Sequence, residues 1–324
     1  MPSPNDPPPA TVAVSVVLLA YNSARYLPVC LDELARSRGV DLEILVVDNA
    51  SRDNSAALAR AHPAVTRVIE TGRNLGCAGG NNVGWRAATH PLVVFLNPDC
   101  CVERDTVRIM ADALLQDDTI GIVGARLYYP HSHRVQHAGG VLHPNAMAEH
   151  PGVNALDEGQ FDEDKDVDFV TGALVAVRRA DIEALGGLDE DFFPAYYEET
   201  DLCWRLRASG RRVRYLSAAI GYHWESVELG LFSPALVRMS YRSRMIFVVK
   251  NLLWRRFFTE FLPFETRWFF GPFARGFRRQ VLISYASGAF FALRCLLRLR
   301  RRPRGVPARL PARPQQPATT TDHR

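Results

Sequence analysis

Three carboxylates fall within four positions at Glu198, Glu199 and Asp201, beside Tyr196, Tyr197 and Trp204. A fourth, Asp99, ends the run Asn97-Pro98-Asp99 much earlier in the chain. Two acidic sites of this kind suit metal-assisted group transfer: one holds a divalent cation on a diphosphate, and the other takes the proton of an incoming hydroxyl. Crowding like charges pushes at least one carboxyl toward a pKa useful for a base. If the chain from residue 198 is helical, Glu198 and Asp201 share a face at i, i+3 while Glu199 points elsewhere. All three also suit a helix N-terminus, so the spacing leaves the base open among them. Magnesium and manganese prefer oxygen ligands and keep water and phosphate in their shell, so Asp99 with one helper suffices. His223 is a candidate helper and would favour manganese.

These residues need a frame. Val12 to Leu19, Leu42 to Asp48, Val65 to Glu70, Leu92 to Leu96 and Ile120 to Val123 are continuous apolar runs of the kind buried on both faces of a parallel sheet. Between them, Tyr26 to Arg38, Ser55 to Ala61, Asn81 to Ala88 and Asp105 to Leu115 carry apolar residues at three- and four-residue spacings, which predicts helices. Alternation of strand and helix predicts an α/β fold with a doubly wound, mostly parallel sheet, whose ligands bind beyond the carboxyl ends of its strands. Those ends are polar here: Tyr21-Asn22, Asp48-Asn49-Ala50-Ser51, Gly72-Arg73-Asn74 and Asn97-Pro98-Asp99. The glycine-rich stretch from Gly72 to Asn82 reads as a loop that closes against a ligand, although it matches neither a Walker loop nor GxGxxG. Residues 126 to 166 read as a long loop over the site, with Asp157, Glu158, Asp162, Glu163 and Asp164 as a solvated acidic surface. Val167 to Val177 is expected as a strand interrupted at Thr171-Gly172-Ala173, Glu199 to Ser209 as a helix, and Val213 to Leu216 as a further strand.

At 324 residues and 47% hydrophobic, the chain suits one large domain plus an appendage. Residues 1 to 233 carry 20 basic and 32 acidic side chains, a net of −12, whereas 234 to 302 carry 15 and 2, a net of +13. The second region interleaves arginines with aromatics, as in Trp254-Arg255-Arg256-Phe257-Phe258, which suits an anionic membrane surface. Its mildly apolar stretch Val281 to Leu297 contains Arg294 and is short, so a helix lying on the surface is expected rather than a spanning one; a helical subdomain packed on the core is compatible with that. No nucleic-acid reading motif accompanies the basic stretch, and nucleic acid is not an expected partner. The six cysteines form no CxxC pair and read as buried or half-buried free thiols in a reducing compartment. A proline-rich leader at 1 to 11, without the regions of a secretory signal, and a disordered tail at 303 to 324 complete the expected organisation.

Taken in order, Val16 to Asn22, Asp48-Asn49-Ala50-Ser51, Asn74 to Asn82, Asn97-Pro98-Asp99, Thr171-Gly172-Ala173 and Glu198 to Cys203 resemble the family 2 glycosyltransferases, with the rhamnosyltransferase-like branch the nearest in look. The resemblance covers roughly residues 12 to 226. It implies the GT-A fold, a Rossmann-like sheet flanked by helices, over 12 to 233, followed by a basic helical region over 234 to 302. It implies inverting transfer of a sugar, rhamnose among the candidates, from a dTDP- or UDP-linked donor to a hydroxyl of a glycan or polyprenyl-linked acceptor in cell-surface polysaccharide synthesis, at the cytoplasmic face of the membrane. By the same resemblance Tyr21, Asn22, Asp48, Asn74, Gly76, Asn81, Asn97 and Gly172 would line the nucleotide-sugar pocket. Asp99 and His223 would hold manganese or magnesium, and Glu199 would be the base, with Glu198 and Asp201 as rivals. Position 97 is asparagine where many relatives have the first aspartate of a DXD, and position 199 is a glutamate, one methylene longer than the usual aspartate.

Two other readings compete. A non-catalytic sugar-nucleotide binder should have lost the carboxylates that remain here. A nucleotidyltransferase should have a glycine- and basic-rich loop after the first strand, where this chain has Ala20-Tyr21-Asn22-Ser23-Ala24-Arg25.

Overall fold

The structure is a computed structural model that describes residues 11–224, 233–272 and 274–299. The expected leader, except its last residue, and the expected tail lie outside the described residues. The first half runs β1 (Val12–Ala20), α1 (Leu27–Leu34), β2 (Val40–Asp48), α2 (Ser55–Ala61), β3 (Arg67–Glu70), α3 (Gly76–Ala87), β4 (Leu92–Leu96), β5 (Cys100–Val102), α4 (Thr106–Gln116) and β6 (Ile120–Tyr128). Four short strands follow: β7 (Val135–His137), β8 (Val141–Leu142), β9 (Ala148–Glu149) and β10 (Lys165–Asp166). Then come β11 (Leu174–Arg178), α5 (Arg179–Ala184), α6 (Glu198–Ala208) and β12 (Arg212–His223).

The sheet order is β10-β12-β6-β11-β4-β1-β2-β3, with β5 beside β12 and β7 beside β6. Strands β4, β1, β2 and β3 are mutually parallel, as are β6 and β12, while β11 runs antiparallel between β4 and β6. The apolar runs become strands because both faces are covered: Val14, Val16 and Leu18 pack in one buried cluster, and Val17 with Leu45 and Val47 in another. Register fixes where their polar ends emerge. Ala20 pairs with Asp48 and Leu18 with Leu96, so Tyr21, Asn49 and Asn97 leave the sheet on one edge. At the far side His223 pairs with Cys100, which sets it beside Asp99.

Two expectations change. The glycine-rich stretch is largely helix: α3 begins at Gly76, and a Cβ at Gly80 or Gly84 would collide with Leu19 or Val17 of β1. Those glycines let α3 lie close on the sheet instead of closing on a ligand. The stretch from 126 to 166 carries four short strands and the end of β6, and part of its acidic run is pinned rather than solvated. Arg126 Nη1 donates to Asp157 (2.6 Å) and Asp162 (2.8 Å), and Ser217 N and Oγ donate to Asp164 (2.7 and 2.8 Å).

After β12 the chain forms α7 (Pro234–Asn251), a short α8 (Trp254–Arg256), a π-helical turn over Phe257–Phe261, α9 (Leu262–Phe270) and α10 (Arg278–Leu299). The expected surface helix over Val281–Leu297 lies within α10. Its Val281, Ser284 and Gly288 are buried at helical spacing, and Gly288 meets Met245 of α7. No helix among the described residues is long and apolar enough to cross a membrane. Met245, Ile246, Phe247 and Val248 of α7 share a buried cluster with Phe192 and Tyr197, which ties these helices to the sheet half.

A buried ion pair locks that junction. Arg244, 1% exposed, donates from Nη1 and Nη2 to Glu265 of α9 (2.9 and 2.6 Å), and Asn145 Nδ2 and the Tyr285 hydroxyl donate to the same carboxylate. Removing one partner strands a buried charge. Glu265→Ala should therefore lower the unfolding free energy by about 3–5 kcal/mol in urea titration, while the paired change Arg244→Met with Glu265→Leu regains most of it. A single-substitution cost below about 1 kcal/mol would show that the guanidinium is solvated, since exposed pairs contribute that little.

Candidate active site

Along the parallel edge, the loops after β1, β2 and β3 hold one another. Asn22, at φ 52°, donates its N–H to Ser51 Oγ (3.1 Å), and its Oδ1 accepts from Arg52 N (2.8 Å). Tyr21 is 38% exposed beside it. Asp48 is almost fully buried: Oδ2 accepts from Ser51 N (3.3 Å), and Oδ1 has no hydrogen-bond partner. A buried acceptor left open at a strand end is costly unless a ligand donor meets it.

Asn49 had no separate role in the sequence reading, yet it organises the next loop. Its Nδ2 donates to Asn74 Oδ1 (3.1 Å) and Gly76 O (3.3 Å), and its Oδ1 accepts from Leu75 N (2.8 Å). Asn74 itself is exposed, with Oδ1 also accepting from Gly76 N (2.8 Å). Gly76 adopts φ 72° under the Phe193 ring and Pro194 carbonyl, a place closed to a side chain. Asn81 lies buried inside α3 with Nδ2 on Cys77 Sγ (3.5 Å), while its neighbour Asn82 pins the segment before α6 through Leu188 and Glu190. No sequence signal separates Asn49 and Asn82 from ordinary turn and helix asparagines.

The second group meets at the end of β4. Asn97 N donates to Ala173 O (2.9 Å), which joins the Asn97-Pro98-Asp99 turn to Thr171-Gly172-Ala173. His223 Nε2 lies 3.3 Å from Asp99 Oδ1 and 3.4 Å from Asn97 Nδ2. Gln136 fixes the ring: its Nε2 donates to the His223 carbonyl (3.2 Å), which leaves its Oε1 to accept from Nδ1 (2.8 Å). With Nδ1 protonated, a neutral His223 turns the lone pair of Nε2 toward the carboxylate. Two acceptors face each other unless a proton or a cation lies between them. Burial pushes the Asp99 pKa up, but when Nε2 also carries a proton its hydrogen bond and charge outweigh that effect and hold the Asp99 carboxyl below its ordinary value. Among the described residues no group of three or more His, Cys, Asp or Glu side chains gathers as a metal cluster, so any cation here would share its shell with other ligands.

The third group is the start of α6. Tyr196 and Tyr197 both sit at positive φ, 74° and 71°, a strained approach that turns the first helical residues inward. The three carboxylates part ways there. Asp201, 1% exposed, spends its oxygens on Arg205 Nε (2.6 Å) and Asn251 Nδ2 (2.8 Å). Glu198 is buried against the Cys77 thiol, leaves Oε2 unpartnered, and burial raises its pKa. Glu199 lies beside Gly172, where a Cβ would sit 3.5 Å from its own, and lines a cavity of about 190 Å³. Burial, and then the adjacent Glu198, push it up to about 8.

The Glu199 carboxyl should thus hold a proton over much of the neutral range and release it with a midpoint near 8, visible by carbon NMR of labelled glutamate. Glu198→Gln removes the like charge and should move the Glu199 midpoint down. A wild-type midpoint at the ordinary 4.5 would refute the effect of burial.

The sequence profile of glycosyl transferase family 2 matches residues 15–186. An uncharacterised protein of Sinorhizobium fredii is 28% identical over 235 residues, which cover 69% of this chain and 26% of that protein, so the likeness concerns about a quarter of its length. The low-salt glycan biosynthesis hexosyltransferase Agl10 of Haloferax volcanii is 25% identical over 72% of this chain and 74% of its own. Among solved structures, a mannosyltransferase of Pyrobaculum calidifontis in complex with GDP-Man and Mn2+ superposes with a TM-score of 0.57 at 20% identity, over 88% of this chain and 80% of that one. The order of strands, the polar edge and the profile agree: the fold is GT-A, and the chain belongs to glycosyl transferase family 2.

Proposed function

We propose that this chain is an inverting glycosyltransferase of glycan biosynthesis, which moves a sugar from a nucleotide diphosphate donor to an acceptor hydroxyl. The carrying observation is the meeting of Asp99 with His223, 3.3 Å apart although 124 positions separate them, on the edge where the open oxygen of Asp48 also emerges. Asp48 Oδ1 would accept from a base or ribose donor, with Tyr21, Asn22 and Asn74 around it. Asn97, Gly76, Asn81 and Gly172 shape the backbone of the donor pocket. Uracil and thymine present similar edges, so dTDP and UDP both suit Asp48; the mannosyltransferase complex adds GDP-sugars to the donors worth testing.

Asp99 and His223 fit a manganese or magnesium ion, because their facing acceptor atoms lack a proton between them when the imidazole is neutral. When bound, such an ion supplies charge neutralisation to a departing diphosphate. The chain's own residues do the rest. In its ionised form, whose share rises as the pH approaches 8, Glu199 takes the proton of the acceptor hydroxyl as that oxygen bonds to the anomeric carbon, and the bond from that carbon to the diphosphate oxygen breaks with its electron pair. Attack on the face opposite the leaving group inverts the anomer. Glu199 is preferred to Asp201, whose oxygens are committed, and to Glu198, which lies deeper; a proton affinity near neutral pH suits the task.

The helices after residue 233 also favour a membrane surface as partner. Of sixteen large apolar side chains exposed among the described residues, ten lie between Leu253 and Leu293, including Trp254 (75%), Phe270 (70%) and Phe290 (62%). Exposed Arg255, Arg267, Arg275, Arg279 and Arg294 stand among them. Aromatic and basic side chains together suit the headgroup boundary of anionic lipid, where each cation contributes about 1 kcal/mol. A polyprenyl-linked acceptor would be presented there.

Nucleotide release from UDP-, dTDP- and GDP-sugars, rhamnose donors first, with manganese and membrane extract, tests the reaction. Asp99→Ala and Glu199→Gln should each lower turnover at least about a hundredfold; near-wild-type rates would remove that residue from its assigned role. In liposome flotation, the protein should rise with anionic vesicles and lose that association in Trp254→Ser with Phe290→Ser. Equal recovery with neutral vesicles or with the substituted protein would refute the surface.

A further inference from the structure

The cavity beside Glu199 has walls from both parts of the chain. Tyr196, Glu199 and Thr200 form one side, His150 and Phe169 another, and Ser240, Tyr241 and Arg244 of α7 close it. We propose that it seats a single uncharged sugar ring of the acceptor, with α7 as its far wall, so that the helices after residue 233 complete the active site. The proposal rests on the assignment of Glu199 as the base and adds what that base acts on.

Size sets the first constraint. At about 190 Å³ the cavity is smaller than the roughly 300–1,000 Å³ of pockets that enclose a drug-sized ligand, which suits one ring and excludes a nucleotide. Chemistry sets the second. Tyr196, Tyr241 and Phe169 put aromatic rings in the lining, to which the C–H side of a sugar can pack, and Ser240, Thr200, His150 and Glu199 bring polar groups able to hydrogen-bond its hydroxyls.

Charge separates a neutral ring from a phosphate. Arg244 is the one arginine or lysine among the described residues that line the cavity, and its charge is already paired through Nη1 and Nη2 with both oxygens of Glu265, which leaves Nε as a single open donor. His150 adds no cation either: its ring nitrogen lies 2.8 Å from His137 Nδ1, and burial holds its pKa below the ordinary histidine value. A phosphate of a lipid-linked acceptor would find no unmatched positive charge there. It must stay outside while a sugar enters.

The wall formed by α7 is built into place. Ser243 Oγ donates to Ala195 O (3.0 Å), Lys250 Nζ to Asp191 (2.8 Å) and Asn251 Nδ2 to Asp201 (2.8 Å), so three side chains fasten α7 to the segment that carries Glu199. Asp201 thereby acts as a positioning residue for the cavity wall.

Saturation-transfer NMR on the full chain, with methyl glycosides of rhamnose, mannose, glucose, galactose and N-acetylglucosamine as probes, tests the cavity. At least one probe should show ring-proton saturation, unaffected by inorganic phosphate and reduced at least fivefold in Tyr241→Ala and in the cavity-filling Ser240→Trp. Circular dichroism of both variants checks the fold, and either folded variant suffices. Absence of saturation from every probe, saturation that survives in a folded variant, or displacement by phosphate would overturn the proposal. Nucleotide release by the wild-type protein separates the two readings. Release without ring binding would sink the cavity and leave glycosyl transfer standing, whereas ring binding without release from any donor would support the cavity and count against transfer.

Discussion

One strand that runs against its neighbours sets the geometry of the site. β11 lies antiparallel between β4 and β6, so its first residues stand where β4 ends, and Ala173 O receives the N–H of Asn97. That single contact brings the Thr171-Gly172-Ala173 turn to the Asn97-Pro98-Asp99 turn. The same reversal delivers the chain, by way of α5, to α6, whose Glu199 then lies against Gly172. A parallel β11 would begin at the opposite edge of the sheet. Both acidic groups would remain in the sequence, but the turn that abuts Glu199 would not meet the one that carries Asp99.

Given that frame, burial and partners decide what each carboxylate does. Asp201 is fixed by an arginine and an asparagine, and a carboxylate so engaged is structural. Asp99 stays charged because His223 opposes the cost of its burial. Glu198 and Glu199 form no ion pair among the described residues; burial raises the proton affinity of both, and at Glu199 the adjacent Glu198 adds to it. The helix N-terminus of α6 favours negative charge, yet it does not reverse this outcome. One helix turn therefore contains a carboxylate fixed by its partners and two whose proton affinity burial has raised.

The sheet was legible wherever burial on both faces left a continuous apolar run, as in Leu92–Leu96, whose limits match β4. Glycine misled the reading at Gly76, because low helix propensity lost to the close contact of Gly80 and Gly84 with Leu19 and Val17. Strands of two or three residues between 126 and 166 are too short to show a period of two, and Asp157 has its arginine 31 positions away. Of the site, the carboxylates and the strand-end polar residues were visible as types in order. Their separation into a fixed Asp201 and a buried Glu198 and Glu199 was not, since Asn251, which takes one oxygen of Asp201, lies outside the region where the motifs occur.

The charge asymmetry of the chain acquires a physical meaning from the junction. Opposite net charges on the two regions suggest electrostatic docking, but the contact itself is mainly apolar, with Phe192 and Tyr197 packed on Ile246 and Phe247. Arg244 is neutralised within its own region by Glu265, and Lys250 carries ion pairs across to Asp189 and Asp191. Arg255, Arg267, Arg275, Arg279 and Arg294 form no ion pair among the described residues. The charge of these five arginines is thus not spent on ion pairs within the described molecule. It is left on the outside of helices packed with α7, whose Ser240, Tyr241 and Arg244 line the cavity at Glu199, so attraction to an anionic surface would act on the helical region that forms one wall of that cavity.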